Sequence, residues 1–213
     1  MIAAHTNLLP EQKIVSAFPL MEHYYTVQGE GYNTGTPAYF LRLGGCDVGC
    51  VWCDVKDSWN AGKYTLTNVE QMLQLVKKTS ASTVVITGGE PLMNDLNFLT
   101  DIFHQNNIRL WLETSGAYPL TGQWDWICVS PKKFKAPLKS VLEKANELKV
   151  VIYNHSDFDW AQQHAAMVND SCRLFLQPEY SRHNEMIPLI INYVKQNPEW
   201  RISLQTHKYM NIP

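Results

Sequence analysis

The sequence predicts an α/β fold, an abbreviated, open partial (β/α) barrel. Three features point there. Short apolar strand-like runs alternate with amphipathic helical runs, the pattern of a mostly parallel sheet with right-handed crossovers. The motif-bearing segments at 46–53, 87–91, 113–116, 130–132 and 177–180 each follow a strand-like run, which gathers them at the C-terminal edge where such sheets bind ligands. At 213 residues the chain is shorter than the roughly 250 of a complete eight-stranded barrel, and at roughly 150 residues per domain it forms one domain, 1–213.

The elements follow in chain order. An N-terminal hairpin-like segment precedes strand runs at 38–43, 83–86, 109–113, 126–130, 148–152, 172–177 and 201–204, apolar and in part alternating. Helical patterns fall between some of them, at 68–78, 96–106, 138–148, 158–168 and 185–195. The first begins after Thr67, a capping residue with Glu70 three places on. Stretches 119–122 and 132–137 read as loops, and no repeat, low-complexity tract or linker interrupts the chain.

Composition narrows the function classes. With 18 Lys plus Arg against 20 Asp plus Glu, the formal charge is −2, and only 18% of residues are charged. That balance excludes a disordered tail and argues against a nucleic-acid partner; Lys132, Lys133, Lys135 and Lys139 read as a solvated face. No apolar run approaches the roughly 20 residues of a membrane span, and residues 1–13 lack a charged region followed by an apolar one, so a cytoplasmic protein without a membrane partner is expected.

Cysteine is the informative residue. Of five, three crowd together as Cys46, Cys50 and Cys53 in the spacing C-x3-C-x2-C, on a loop that leaves the strand run at 38–43 through Gly44 and Gly45. Three thiols that close in a reducing compartment point to one metal centre, either zinc or an iron–sulfur cluster. Structural zinc needs a fourth ligand, and the nearest histidine in sequence is the distant His23, although Cys128 and Cys172 are available from afar. A cluster of four irons held by three thiolates leaves one iron open, and an open metal position is a reaction site. Cys128 and Cys172 lie within strand runs and read as small core residues.

A second motif agrees with the first. After the strand run at 83–86 comes Thr87-Gly88-Gly89-Glu90-Pro91. Together with the cysteine loop and Trp52 before its last cysteine, this resembles the radical S-adenosylmethionine (SAM) superfamily, and the fold class becomes an open partial barrel of the radical SAM type. Within it the chain is similar nearly end to end to the 7-carboxy-7-deazaguanine synthase (QueE) family. The resemblance is carried by Gln28-Gly29-Glu30-Gly31, Arg42, Glu113-Thr114-Ser115-Gly116, Ser130-Pro131-Lys132, Gln177-Pro178 and the tail from Leu204 to Pro213.

The resemblance implies that Cys46, Cys50 and Cys53 hold a [4Fe-4S] cluster whose open iron chelates SAM. Trp52, Gly89, Glu90, Ser130, Pro131, Lys132, Gln177, Pro178, Glu179 and Tyr180 then line that cofactor. The substrate, 6-carboxy-5,6,7,8-tetrahydropterin, maps to Val27, Gln28, Gly29, Glu30, Arg42, Thr87, His207 and the carboxylate of Pro213. Segment 1–35 becomes a substrate-binding segment and 205–213 a tail closing the active site. Also implied are an external electron donor such as a flavodoxin or ferredoxin, a homodimer, and a radical ring contraction that releases ammonia, with SAM regenerated. One departure matters: family members carry Thr or Ser two places after the last cysteine, where a hydroxyl helps ligate magnesium, and this chain has Val55. Valine offers no oxygen to a hard cation, so magnesium here depends on Asp54, a backbone carbonyl or substrate oxygens, or is dispensable.

Without the motifs, several of these residues would have ordinary explanations. A strand arginine such as Arg42 is usually a surface residue or a structural ion-pair member. Glu30 and Glu113 could be solvated turn carboxylates, but Glu113 ends an apolar strand run and is expected to be buried and paired. Among the histidines only His207 carries a motif.

Overall fold

The computed structural model describes residues 16–213. The leader reading of residues 1–13, His5 and the first part of segment 1–35 lie outside them. Nine strands form one sheet in the order β3-β1-β2-β4-β5-β6-β7-β8-β9. They are β1 Ala17–Val27, β2 Pro37–Leu43, β3 Leu66–Asn68, β4 Thr83–Gly88, β5 Arg109–Thr114, β6 Trp126–Val129, β7 Glu147–Ile152, β8 Arg173–Pro178 and β9 Trp200–Ile202. From β2 through β9 every pairing is parallel, whereas β1 runs antiparallel to both β2 and β3. The edge strands β3 and β9 do not pair with each other, so the barrel is open.

All seven parallel strands coincide with the strand runs read from the sequence. The long β1 does not: Glu22 and His23 break its apolar pattern and its register against β2 shifts between Leu20 and Glu22. Helices α1 Val69–Lys77, α2 Asn97–Gln105, α4 Ser156–Ala165 and α5 His183–Gln196 fall near their expected positions. The cap of α1 differs from expectation. Thr67 pairs with Phe18 in β3, and Asn68 caps instead, its side chain accepting from Gln71 N while the Gln71 side chain accepts from Asn68 N. Helix α3 is only Lys139–Leu142, not 138–148. Asn146 stops it, since its side chain accepts from Ile127 N at 2.8 Å and its carbonyl from Arg173 N at 2.8 Å, pinning the chain between β6 and β8. A short α6, Thr206–Met210, follows β9. No described helix is long and apolar enough to cross a membrane.

Side-chain alternation divides the sheet into two faces. Leu41, Ile86, Leu110, Leu112, Leu148, Val150 and Leu176 enter the main core with Met72, Leu99, Phe103, Phe158 and Ile190 of the helices. The alternate positions line the barrel interior. Phe40, Val85 and Trp111 fill one level of it, and Arg42, Thr87, Glu113, Ser130, Lys149 and Gln177 face the cavity.

Candidate active site

The cysteine loop is built by its own backbone. Leaving β2, Gly44 N donates to Pro19 O at 2.7 Å, Gly45 N to Ser58 O at 2.6 Å and Cys46 N to Trp59 O at 3.2 Å. The loop therefore closes over a 3-10 turn at Lys56–Trp59. Gly45 at φ 105° and Gly49 at φ 75° occupy backbone conformations that side chains resist. The three thiols are free, Cys50 buried and Cys46 and Cys53 half-buried. Burial raises the thiols of Cys46 and Cys50, the latter to about 11, so metal ligation must displace protons there.

The Gly-Gly-Glu-Pro turn leaves β4 directly against this loop. Gly89 N donates to Leu43 O at 3.1 Å and Glu90 N to Gly45 O at 2.8 Å. A Cβ on Gly89 would lie 2.0 Å from Gly45 O and 3.2 Å from the Cys46 Cβ. The buried Glu90 carboxylate accepts from Leu92 N at 3.0 Å, Thr114 Oγ1 at 2.6 Å, Ser115 N at 2.8 Å and Ser115 Oγ at 2.5 Å. Four donors fill its lone-pair directions. Glu90 reaches the cavity wall, yet its oxygens are spent on tying the end of β4 to the end of β5.

The opposite wall joins segments far apart in sequence. Lys149 Nζ lies 2.7 Å from Glu30 Oε2 and 3.0 Å from Glu113 Oε2. Gln205 Nε2 donates to Glu30 Oε1 at 2.8 Å and Gln28 Nε2 to Glu113 Oε1 at 3.2 Å. Burial alone would raise Glu30, but the Lys149 charge and the hydrogen bonds outweigh it and hold the carboxyl at about 2. Thr206 N and Oγ1 both donate to Gly29 O at 2.9 Å, which packs Gly29 so closely on His207 that a Cβ there would meet Nδ1 at 2.3 Å. Burial holds the His207 imidazole below its ordinary pKa. On the neighbouring wall Arg42 pairs with Glu22 of β1 and donates to Gly88 O at 3.2 Å, while Lys132 donates to Ser130 Oγ at 2.6 Å and lies 5.2 Å from the Trp52 ring. These walls enclose one cavity of about 290 Å³.

Residues 41–156 match the Radical SAM superfamily model. A 7-carboxy-7-deazaguanine synthase of Flavobacterium psychrophilum is 56% identical over 195 residues, covering 92% of each chain. The chain belongs to the 7-carboxy-7-deazaguanine synthase family. Synthases of that name from Synechocystis sp. and Escherichia coli are 45% and 35% identical over 92% of this chain, covering 94% and 99% of their own. The crystal structure of QueE from Escherichia coli superposes with a TM-score of 0.81 at 33% identity, covering 90% of this chain and 95% of that one. Membership in this synthase family implies a [4Fe-4S] cluster, SAM, a small-molecule substrate and an electron donor.

Of the site residues named from the sequence, all but Pro131 line this one cavity: the three cysteines, Trp52, Gly89, Glu90, Ser130, Lys132, the run from Gln177 to Tyr180, Val27 to Glu30, Arg42, Thr87, His207 and Pro213. Pro131 is buried outside the lining, because it has the opposite parity to Ser130 and Lys132 on either side. Cys128 and Cys172 do not reach the cavity; Cys128 is in the interior and Cys172 packs against the main core. Glu113 is paired with Lys149, as expected, but it is half-buried and not buried. Lys149 and Gln205 were not anticipated. The available signal for Lys149 was a lone charge between Leu148 and Val150, on the same parity as the cavity-facing residues of a strand otherwise apolar from 148 to 152.

Proposed function

We infer that the chain is a 7-carboxy-7-deazaguanine synthase, a radical SAM carbon–nitrogen lyase that contracts 6-carboxy-5,6,7,8-tetrahydropterin to 7-carboxy-7-deazaguanine with loss of ammonia, in queuosine biosynthesis. One observation carries the inference: the cysteine loop, the Gly-Gly-Glu-Pro turn, residues 27–30 and residues 205–213 meet in a single cavity.

The donor set fits the cofactors of the family. Three free thiols on one wall suit a cluster in which each thiolate takes a different iron. The missing Cβ of Gly89 lets the turn lie against the cysteine loop, where a side chain would collide with Gly45 O, and so puts both motifs on the same stretch of cavity wall. When bound and reduced by an external donor such as a flavodoxin or ferredoxin, the cluster and SAM supply the radical that opens the substrate's C–H bond.

The chain's own residues bind and orient. Cys46, Cys50 and Cys53 hold the cluster. Trp52, Gly89, Ser130, Lys132 and the run from Gln177 to Tyr180 line the SAM side. Glu90 acts there by bracing the turn. The Arg42 guanidinium, already held by Glu22 and Gly88 O, suits the substrate carboxylate. Glu30 offers an ionised acceptor to the N–H groups of the aminopyrimidinone, with Gln28, Thr87, His207 and Pro213 around it. Val55 lines the cavity without the oxygen that would help hold magnesium, and Asp54 Oδ2 lies 3.6 Å from the Lys208 ammonium, so a magnesium ion here would rest largely on backbone or substrate oxygens.

Anaerobic reconstitution followed by incubation with SAM and a reductant tests the reading. About four irons per chain and reductive SAM cleavage are expected; stoichiometric zinc without iron would defeat it.

A further inference from the structure

We propose that Lys149 is a positioning residue of this site: its ammonium holds Glu30 and Glu113 as fixed, ionised acceptors that grip the ring N–H groups of the substrate. Resting on the function inferred above, this adds Glu113 to the substrate wall and gives Lys149 a duty beyond stability.

The geometry is a continuous chain of hydrogen bonds, Gln28 to Glu113 to Lys149 to Glu30 to Gln205. It crosses the barrel mouth from the loop after β1 to β5, β7 and the segment before α6. All five side chains line the cavity. Lys149 has 5% of its side chain exposed, Glu30 18% and Glu113 21%. An ammonium that far from water is tolerated only when paired.

The charge count leaves a remainder. One ammonium faces two carboxylates, so the wall keeps one negative charge that the group itself does not balance. Each carboxylate has about four acceptor directions, and the named hydrogen bonds use two on each. What remains open on a cavity wall suits a planar heterocycle with adjacent N–H donors, the chemistry of an aminopyrimidinone edge. Two acceptors set at fixed spacing by one cation select for such an edge more sharply than a single mobile carboxylate.

The same arrangement makes the cation irreplaceable by a neutral side chain. Lys149 Nζ is within 3.0 Å of both carboxylates, so without it two like charges would face each other on the cavity wall with no cation between them. Such a pair shares one proton, and its upper apparent pKa rises. Cys128 of β6 and Glu147 of β7 also face Lys149, and neither supplies a positive charge in its place. The other ammonium nearby is engaged elsewhere: Lys132 donates to Ser130 Oγ at 2.6 Å beside the Trp52 ring and makes no hydrogen bond to either carboxylate.

The test uses the reconstituted holoenzyme with Lys149→Met and Lys149→Arg, assayed anaerobically with 6-carboxy-5,6,7,8-tetrahydropterin across the pH range. In Lys149→Met, KM at neutral pH should rise about ten-fold or more, with a smaller change in kcat, and a new acid limb should appear in kcat/KM, since activity falls as the shared proton is taken up. Iron content and SAM cleavage without substrate should match the parent. Lys149→Arg should restore the parent pH profile. Should Lys149→Met not fold, Lys149→Gln, which keeps donors but no charge, carries the same expectation. A KM within two-fold of the parent and an unchanged pH profile in the neutral variant would overturn the proposal. A second readout needs no substrate: infrared spectra of the neutral variant should show one protonated carboxyl more than the parent, and an equal number would overturn it. Failure of the parent itself to convert the pterin would instead count against the functional reading.

Discussion

Gly89→Ala places one methyl group between the two motifs that build the site. The new Cβ would lie 2.0 Å from Gly45 O, where real contacts do not go below 3.0 Å, so the turn and the cysteine loop must part by about 1 Å. Neither contact is a flexible side-chain end: one is backbone, the other the Cys46 Cβ. Separation stretches the bonds from Glu90 N to Gly45 O, 2.8 Å, and from Gly89 N to Leu43 O, 3.1 Å. Two hydrogen bonds at roughly 1 kcal/mol each, with overpacking of about 1–3 kcal/mol, give a loss of about 3–5 kcal/mol. A misplacement of about 1 Å beside the reacting groups costs on the order of 100-fold in rate. The assay is kcat/KM for the pterin and the rate of reductive SAM cleavage in the reconstituted variant, compared with Gly62→Ala. Gly62 lies outside the cavity, and its new Cβ would meet only the Asn60 side chain, at 3.2 Å, so that variant should behave as the parent. If Gly89→Ala reconstitutes, cleaves SAM and turns over like the parent, the close approach of the two motifs is irrelevant to the site and the reasoning fails.

Three further outcomes are expected. Glu147 is buried with Oε1 unpartnered, and burial raises its carboxyl from 4.5 to about 7. The unfolded chain loses this proton near 4.5 and the native chain keeps it, so stability falls as pH rises through that window, by about 3 kcal/mol, and is level above it. Glu147→Gln should therefore gain on the parent in anaerobic urea unfolding between pH 4.5 and 7, and parallel curves would contradict this. Gly29→Ala should push His207 off the wall, since its Cβ would meet Nδ1 at 2.3 Å, and raise KM for the pterin several-fold with cluster content unchanged; an unaltered KM would remove His207 from the binding surface. Turnover of the parent should not depend on added magnesium, whereas Val55→Thr should introduce a dependence, measured as activity with and without chelator.

The parallel strands from β2 to β8 were legible because each carries apolar residues buried on the helix-facing side, and the cysteine loop because its chemistry is local; β9, with only Trp200 buried, was read less closely, at 201–204. Strand β1 was not, since its pairing tolerates a register shift and leaves Glu22 and His23 exposed. The 138–148 helix pattern gave no hint that Asn146 would be captured by two strands. Residue parity excluded Pro131 from the cavity, which a motif match alone does not reveal. Lys149 and Gln205 were hidden for a different reason. Their roles depend on Glu30, which is 119 and 175 residues away in sequence, and only the closed wall brings them together.

The most direct measurement is product analysis by mass spectrometry after anaerobic incubation of the reconstituted protein with 6-carboxy-5,6,7,8-tetrahydropterin, SAM and reductant. The inferred function predicts 7-carboxy-7-deazaguanine and ammonia in equal amounts, and the regeneration of SAM that the family resemblance implies predicts that they exceed the SAM consumed. A sample with its full iron content that cleaves SAM but forms no deazaguanine would contradict the assigned function.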